Sequence, residues 1–235
     1  MVFDIIELLR ENPYPGRGIV IGLSRDGKNS IVLYFIMGRS LNSRNRVFEA
    51  TEDGIRTKAF DPDKLTDPSL VIYHPVRVFG GSTIVTNGDQ TDTIVRFLSE
   101  GSDFRDALLT RDFEPDGPHY TPRISGLAGP DGSYRLSILK SLHGDPKSCC
   151  RYFYDYLQPL HGVGHFISTY ATDGDPLPSF TGEPIAVGID APDDLESYAQ
   201  TIWGALNDDN KVSLYLRETS ISSGEVKEHI INKHG

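Results

Sequence analysis

Two apolar runs near the start of the chain, GIVIGL at 18–23 and SIVLYFIM at 30–37, are separated by little more than Arg25-Asp26-Gly27-Lys28-Asn29. That polar, glycine-containing spacer is a hairpin signal. Neither run alternates apolar with polar residues, so the hairpin must be covered on both of its faces. A fold built on it needs at least one further layer on each side.

The rest of the chain supplies candidates for those layers. Val2, Ile5, Ile6, Leu8 and Leu9 make one helical stripe over residues 2–11, ended by Asn12-Pro13. Strand-like runs are expected near 45–49, 69–73 and 75–79, closed by STIVTN at 82–87. The period then changes, and Ile94, Val95, Phe97 and Leu98 suit a helix beginning after Asp89, with a second one in DFRDALLTRD. The segment FEPDGPHYTPRI reads as loop, and ISGLA, SYRLSILKSL, SCCRYFYDYL and HFISTYAT as strands, with a turn at Gly129-Pro130-Asp131-Gly132. PDDLESYAQTIWGAL opens with Pro192 and acids, a helix start, and KVSLYLRET and EVKEHII are the last strands. This order reads as α+β: two antiparallel sheets packed face to face with helices outside, in a single unit over 1–235.

Composition limits the partners. With 23 basic and 33 acidic residues the formal net charge is −10, so nucleic acid is not expected to bind. No apolar stretch approaches membrane-spanning length, and MVFDIIELLRENP lacks the basic start of a signal peptide. The only cysteines are the adjacent Cys149 and Cys150, which fit a reduced, cytoplasmic setting. Composition leaves a homo-oligomer open.

Site chemistry is less explicit. Arg39, Arg44 and Arg46 fall in GRSLNSRNR, where forked guanidiniums could bind a phosphate or carboxylate, although a solvated loop has the same composition. His161 and His165 have the spacing of a helical metal pair, but the intervening glycines oppose a helix, so no metal site is expected. In VTNGDQTDTI, Asn87-Gly88 accounts for a turn and Asp89 or Thr91 for a helix cap. Glu114, taken alone beside a proline, reads as a surface residue. No phosphate-binding loop, nucleophile elbow or metalloprotease motif is present.

Read in order, several of these segments resemble the archaeal-type IMP cyclohydrolases. The resemblance runs through Tyr14-Pro15-Gly16-Arg17, Arg39-Ser40, Asn45-Arg46, Tyr73 with Val76-Arg77-Val78, and Thr86-Asn87-Gly88 with Thr91-Asp92-Thr93-Ile94. It continues in Phe113-Glu114-Pro115-Asp116 and Thr121-Pro122-Arg123-Ile124, and more weakly at Ile167-Ser168-Thr169-Tyr170 and Leu216-Arg217-Glu218. It implies the four-layer αββα fold of the N-terminal-nucleophile hydrolases, without the terminal nucleophile. Here the chain begins Met1-Val2 and prefixes a helix over 1–13, so no terminal Cys, Ser or Thr is expected.

The implied reaction closes 5-formamidoimidazole-4-carboxamide ribotide to inosine monophosphate with loss of water, using no cofactor. The resemblance makes Arg46 the group that polarises the formyl oxygen, in preference to Arg44, and Tyr73 and Glu114 the proton-transfer groups. It places Arg39, Arg44, Asn87, Gly88, Asp89, Thr91, Asp92, Thr121 and Arg123 around the purine ribonucleotide. Two other readings stand beside it: a purine-nucleotide-binding module without turnover, and an amide hydrolase on the same scaffold. For the material after about Lys147 the resemblance offers no clear counterpart.

Overall fold

Strands β1 (Arg17–Leu23) and β2 (Asn29–Met37) form the central hairpin, pairing from Arg17 with Ile36 to Leu23 with Ser30. A computed structural model of the chain describes residues 1–189 and 194–234. At the turn the Asp26 carboxylate accepts from the Ser24 hydroxyl and from the Lys28 amide, which fixes the reversal.

Beyond the hairpin the strands are β3 (Arg46–Thr51), β4 (Gly54–Ala59), β5 (Val76–Phe79), β6 (Ser82–Thr86), β7 (Arg123–Ala128) and β8 (Tyr134–Ser141). They continue with β9 (Cys149–Tyr156), β10 (Val163–Ser168), β11 (Ile185–Gly188), β12 (Lys211–Ser220) and β13 (Val226–Asn232). Helices are α1 (Ile5–Glu11), α2 (Leu41–Arg44), α3 (Gln90–Ser99), α4 (Phe104–Leu109) and α5 (Leu195–Ala205). One sheet has the order β11-β10-β1-β2-β12-β13 and the other runs β3 through β9 in sequence, both antiparallel.

Alternation along the hairpin divides its side chains between two cores. Ile19, Ile21, Val32, Tyr34 and Ile36 face the second sheet and meet Phe48, Ile55, Val76, Val85, Ile124 and Leu136. The intervening Val20, Leu33 and Phe35 face outward under Ile5 and Leu9 of α1 and Ala199 and Ile202 of α5. On the far side of the second sheet, Ile84 and Leu139 pack against Ile94 of α3 and Phe104, Ala107 and Leu108 of α4. Each fully buried aliphatic side chain contributes about 1.5–3 kcal/mol, so the doubly covered hairpin anchors the fold. The result is the expected αββα layering of two antiparallel sheets with outer helices.

Several details differ from the sequence reading. Residues 69–73 turn instead of extending, because the amides of Val71 and Ile72 both donate to Pro68 O. Helix α1 starts only at Ile5, where Asp4 caps it, and Phe3 bridges to Val187 instead. Strands β4 and β11 lie where none was expected. No side chain caps α3: Asp89 is drawn into ion pairs and the Thr91 hydroxyl bonds Thr86 and Gly88 O. Pro192, expected near the start of α5, lies outside the described residues; Asp194 caps that helix. Among the described residues no helix is long and apolar enough to cross a membrane.

Candidate active site

The inward-facing residue sets end, on one side of the sandwich, in polar groups. On β1 the set Arg17, Ile19, Ile21 begins with a guanidinium; on β2 Tyr34 stands between Val32 and Ile36; on β3 Arg46 precedes Phe48. Tyr73 comes from the turn before β5 and is held by its amide on the Thr57 hydroxyl (2.8 Å), while the Thr57 amide returns a bond to Tyr73 O. The Tyr34 and Tyr73 hydroxyls lie 2.9 Å apart. Arg46 is fully buried; its Nε donates to Ser43 O (2.8 Å), and its Nη1 makes no hydrogen bond with the protein. Arg17 Nε is likewise buried without a partner. Burial, and next to it the Arg17 charge, push the Arg46 pKa below the usual arginine range, against opposing effects of Tyr73 and Tyr34.

Glu114 completes the cluster from the loop between α4 and β7. It is 2% exposed, not the surface residue that its local sequence suggests. Its amide donates to Thr121 O (2.9 Å), and its carboxylate meets Arg17 Nη2 at 3.7 Å and Asn87 Nδ2 at 3.3 Å. Burial raises the Glu114 pKa above the ordinary glutamate value, although Arg17 and Arg123 pull the other way. The same loop contains Asp116, which accepts from both the amide and the hydroxyl of Thr121. The Thr121 hydroxyl also meets the Tyr170 hydroxyl at 2.6 Å, and burial pushes the Tyr170 pKa up to about 12.

A cavity of about 310 Å³ opens over these groups, with Tyr14, Arg17, Arg39, Glu114, Thr121 and Tyr170 in its wall. Tyr34, Tyr73 and Arg46 are buried beside Arg17 and do not line it. Arg39 sits at the rim, its Nη1 bonded to Asp173 (2.6 Å) and Gly174 O (3.0 Å) and its guanidinium over the Tyr14 ring.

The three arginines of GRSLNSRNR therefore diverge. Arg44 ties α2 to its surroundings through Gly38 O and Asn210, while only Arg46 turns inward. Asn87 uses its amide fully, donating to Glu114 and Pro122 O and accepting from Gln90 and the Ile124 amide. A Cβ on Gly88 would come within 2.4 Å of Arg123 Nη1, so the glycine makes room for that arginine. Arg123 shares its strand face with Leu127, which packs toward α3 and α4, and is held by Gln90 (2.7 Å) and Asp89 (2.8 Å). Asp89 also pairs with Arg111, Asp92 pairs with Arg77, and Thr91 is buried against Thr86. Of the residues expected around a ligand, Arg39, Glu114 and Thr121 thus line the cavity, Arg46 and Tyr73 stand just beneath it, and Asn87 braces Glu114.

Sequence reading assigned no role to Arg17, Tyr34, Asp116 or Tyr170. His165 lies on β10, not on a helix; its Nδ1 meets the Tyr134 hydroxyl at 2.7 Å and its ring stacks on Tyr156.

Fold and site together define an αββα sandwich with a buried arginine–tyrosine–glutamate cluster between its sheets. A family model described as IMP cyclohydrolase-like protein matches residues 14–222, and the chain belongs to that family. The match extends well past Lys147 and leaves out α1. A protein named IMP cyclohydrolase from Halobacterium salinarum (strain ATCC 29341 / DSM 671 / R1) is 33% identical over 132 residues, covering 54% of this chain and 63% of the relative. One of the same name from Methanosphaera stadtmanae is 32% identical over 130 residues, with the same two shares, 54% and 63%. A third, from Methanopyrus kandleri, is 28% identical over 160 residues, 67% of this chain and 75% of that protein. The chain thus spans slightly less than two thirds of the length of the Halobacterium and Methanosphaera relatives it matches.

Proposed function

We propose that this chain cyclises 5-formamidoimidazole-4-carboxamide ribotide to inosine monophosphate and water, acting as one unit over 1–235 without a cofactor. The observation that carries this reading is the buried Arg46 guanidinium, with one N–H pair unbonded by protein, beside Tyr73 and next to Glu114 and Arg17. A buried charged donor without a partner is costly, and a developing oxyanion is the group that would satisfy it. The activity printed in the relatives' names supports the same reading.

Both reacting groups sit on one imidazole ring. The carboxamide nitrogen attacks the formyl carbon, forming the new C–N bond as the C=O electrons move onto oxygen. That oxygen leaves as water, taking up one proton from the carboxamide nitrogen and one from the formamido nitrogen. Holding the two groups at attack distance can supply about 7–11 kcal/mol in favourable intramolecular cases. Arg46 stabilises the oxyanion, worth about 3 kcal/mol by analogy with other oxyanion donors. Tyr73 and Glu114 move the protons, Glu114 being suited to deliver one because burial favours its neutral form. Arg39 and Thr121 contact the ribotide at the cavity wall, while Asn87, Gly88, Asp89, Thr91, Asp92 and Arg123 hold the frame on which Glu114 is set.

Purified protein incubated with the formylated ribotide should generate inosine monophosphate, followed by its ultraviolet absorbance. Release of a hydrolysed fragment would instead indicate an amide hydrolase, and recovery of unchanged ribotide a binding module.

A further inference from the structure

Four strands end the two sheets: β11 and β13 in the first, β3 and β9 in the second. An open edge offers unpaired N–H and C=O groups to any other strand, and folded proteins cover or blunt it. Three of the four are treated in this way. Across β11, the Phe3 amide donates to Ala186 O and the Gly188 amide to Phe3 O. The Asn232 side chain on β13 takes up both the amide and the carbonyl of Phe48, which ties β3 to β13. The exposed end of β13 carries Lys227 and Glu228, charges that discourage pairing.

Strand β9 is the exception. It is eight residues long, contains neither proline nor glycine, and pairs with β8 in unbroken register. Its hydrogen-bond phase is fixed at both ends of β8. Gly129 donates to Ser133 O on the β7 side, and Leu142 donates to Ser148 O on the β9 side. Pairs alternate along an antiparallel ladder, so Cys150, Tyr152, Tyr154 and Tyr156 direct their backbone groups to β8. Cys149, Arg151, Phe153 and Asp155 turn theirs outward, and no group among the described residues hydrogen-bonds to that backbone. Apolar side chains lie open along the same edge: Leu142 before the strand, Tyr152 within it and Leu157 just after it are all exposed.

We propose that β9 is the surface through which two copies of this chain associate, in an antiparallel β9–β9 ladder with Phe153 on the two-fold axis. The seven-stranded sheets of the two copies then run on as one. The sequence of the strand is what selects a second copy. Arg151-Tyr152-Phe153-Tyr154-Asp155 is complementary to itself when reversed: about Phe153, Arg151 opposes Asp155 and Tyr152 opposes Tyr154. The outward backbone phase admits that register, because 151 with 155 and 153 with 153 are pairs that exchange both of their bonds. Moving the axis to Arg151 or to Asp155 sets like charges opposite each other. On the outer face Arg151 already reaches Asp112 (2.5 Å), and Asp155 reaches Arg135 (3.2 Å). Strand pairing extends these contacts into a row of alternating charge: Arg135, Asp155, then Arg151 and Asp112 of the second copy. On the inner face Tyr152 and Tyr154 become cross-strand aromatic pairs.

Sedimentation velocity over a concentration series should show the intact protein passing from one chain mass to two. Arg151→Glu and Asp155→Lys each act twice by symmetry, and each should raise the dissociation constant at least ~10-fold. An equimolar mixture of the two variants should dimerise again, since every acid of one then opposes a base of the other. Mixing would not rescue variants that were merely destabilised, and circular dichroism confirms that each is folded. Hydrogen exchange of the unaltered chain gives a second reading that needs no variant. The amides of Arg151, Phe153 and Asp155 should gain protection as the dimer forms, while those of Tyr152 and Tyr154 are protected at every concentration. A wild type that stays monomeric at its highest soluble concentration overturns the proposal. So does a dimer that both folded single variants retain, or one that leaves those three outward amides in free exchange.

Discussion

The Tyr34 and Tyr73 hydroxyls share a hydrogen bond of 2.9 Å that joins the two sheets, one residue on β2 and the other in the turn before β5. Arg17 and Arg46 both lie close enough to influence Tyr34 electrostatically. A phenol in that setting can give a proton to a reacting group and recover one from its neighbour. Tyr73→Phe is expected to lower kcat by ~10²–10⁴-fold with the fold retained. Tyr34→Phe should reduce kcat less and destabilise the protein by about 1–3 kcal/mol, since it strands a buried hydroxyl. Wild-type turnover in Tyr73→Phe, with single-turnover kinetics isolating the chemical step, would remove Tyr73 from the mechanism.

Arg46 and Arg44 are two positions apart and differ in kind. Arg46 is inward and part-unbonded, whereas Arg44 bonds Gly38 O and Asn210. Arg46→Lys keeps the charge but replaces a planar fork by a point charge on a flexible stem. Most of the rate should be lost, on the order of 10²-fold or more in kcat, while Arg44→Lys stays within a few-fold of wild type. The opposite ranking would mean that the oxyanion lies nearer Arg44.

The αββα layering was legible because the two long apolar runs could be buried only by covering both faces of their hairpin. That same property hides Tyr34: in SIVLYFIM every residue after Ser30 is apolar or aromatic, so the face toward which the tyrosine points cannot be read from alternation. Arg17 does leave a signal in the sequence, a guanidinium two positions before Ile19 and therefore on the inward face of a buried strand. Glu114 reads locally as a surface residue because its burial comes from distant partners, Arg17 on β1 and Asn87 after β6. Strand β4 carries only a faint strand pattern: Arg56 and Lys58 alternate with the inward Ile55, Thr57 and Ala59, but of those three only Ile55 is strongly apolar. The residues from Asn87 to Asp92 show the converse, a polar stretch whose hydrogen bonds and ion pairs are made within the protein.

Metal dependence gives a further expectation. The proposed cyclisation needs an electrophile only at the formyl oxygen, the role proposed for the buried Arg46 guanidinium, and among the described residues no group of three or more His, Cys, Asp or Glu could hold an ion. Exhaustive chelation should therefore leave the initial rate unchanged. Activity lost to a chelator and restored by one divalent metal would refute the metal-free route and return attention to His161 and His165.

Glu114 links chemistry to stability through its titration. Glu114→Gln keeps the shape and one acceptor oxygen but cannot exchange a proton near neutrality, so kcat should fall by ~10²–10⁴-fold. A carboxyl whose folded pKa lies above 4.5 binds more protons in the folded than in the unfolded chain between the two values. Its stabilising contribution is thus complete below the unfolded value and is lost as pH rises through the folded one. Relative to Glu114→Gln, wild type should become progressively less stable as pH rises through that interval, seen as a melting-temperature difference that drifts in the variant's favour. The rate at which Glu114 delivers a proton should decline over the same range. A difference that drifts instead in wild type's favour as pH rises would show that the carboxyl is lowered, and that Arg17 at 3.7 Å outweighs burial. Glu114 would then be an ionised partner of Arg17, and kcat should depend on it through the position of that guanidinium.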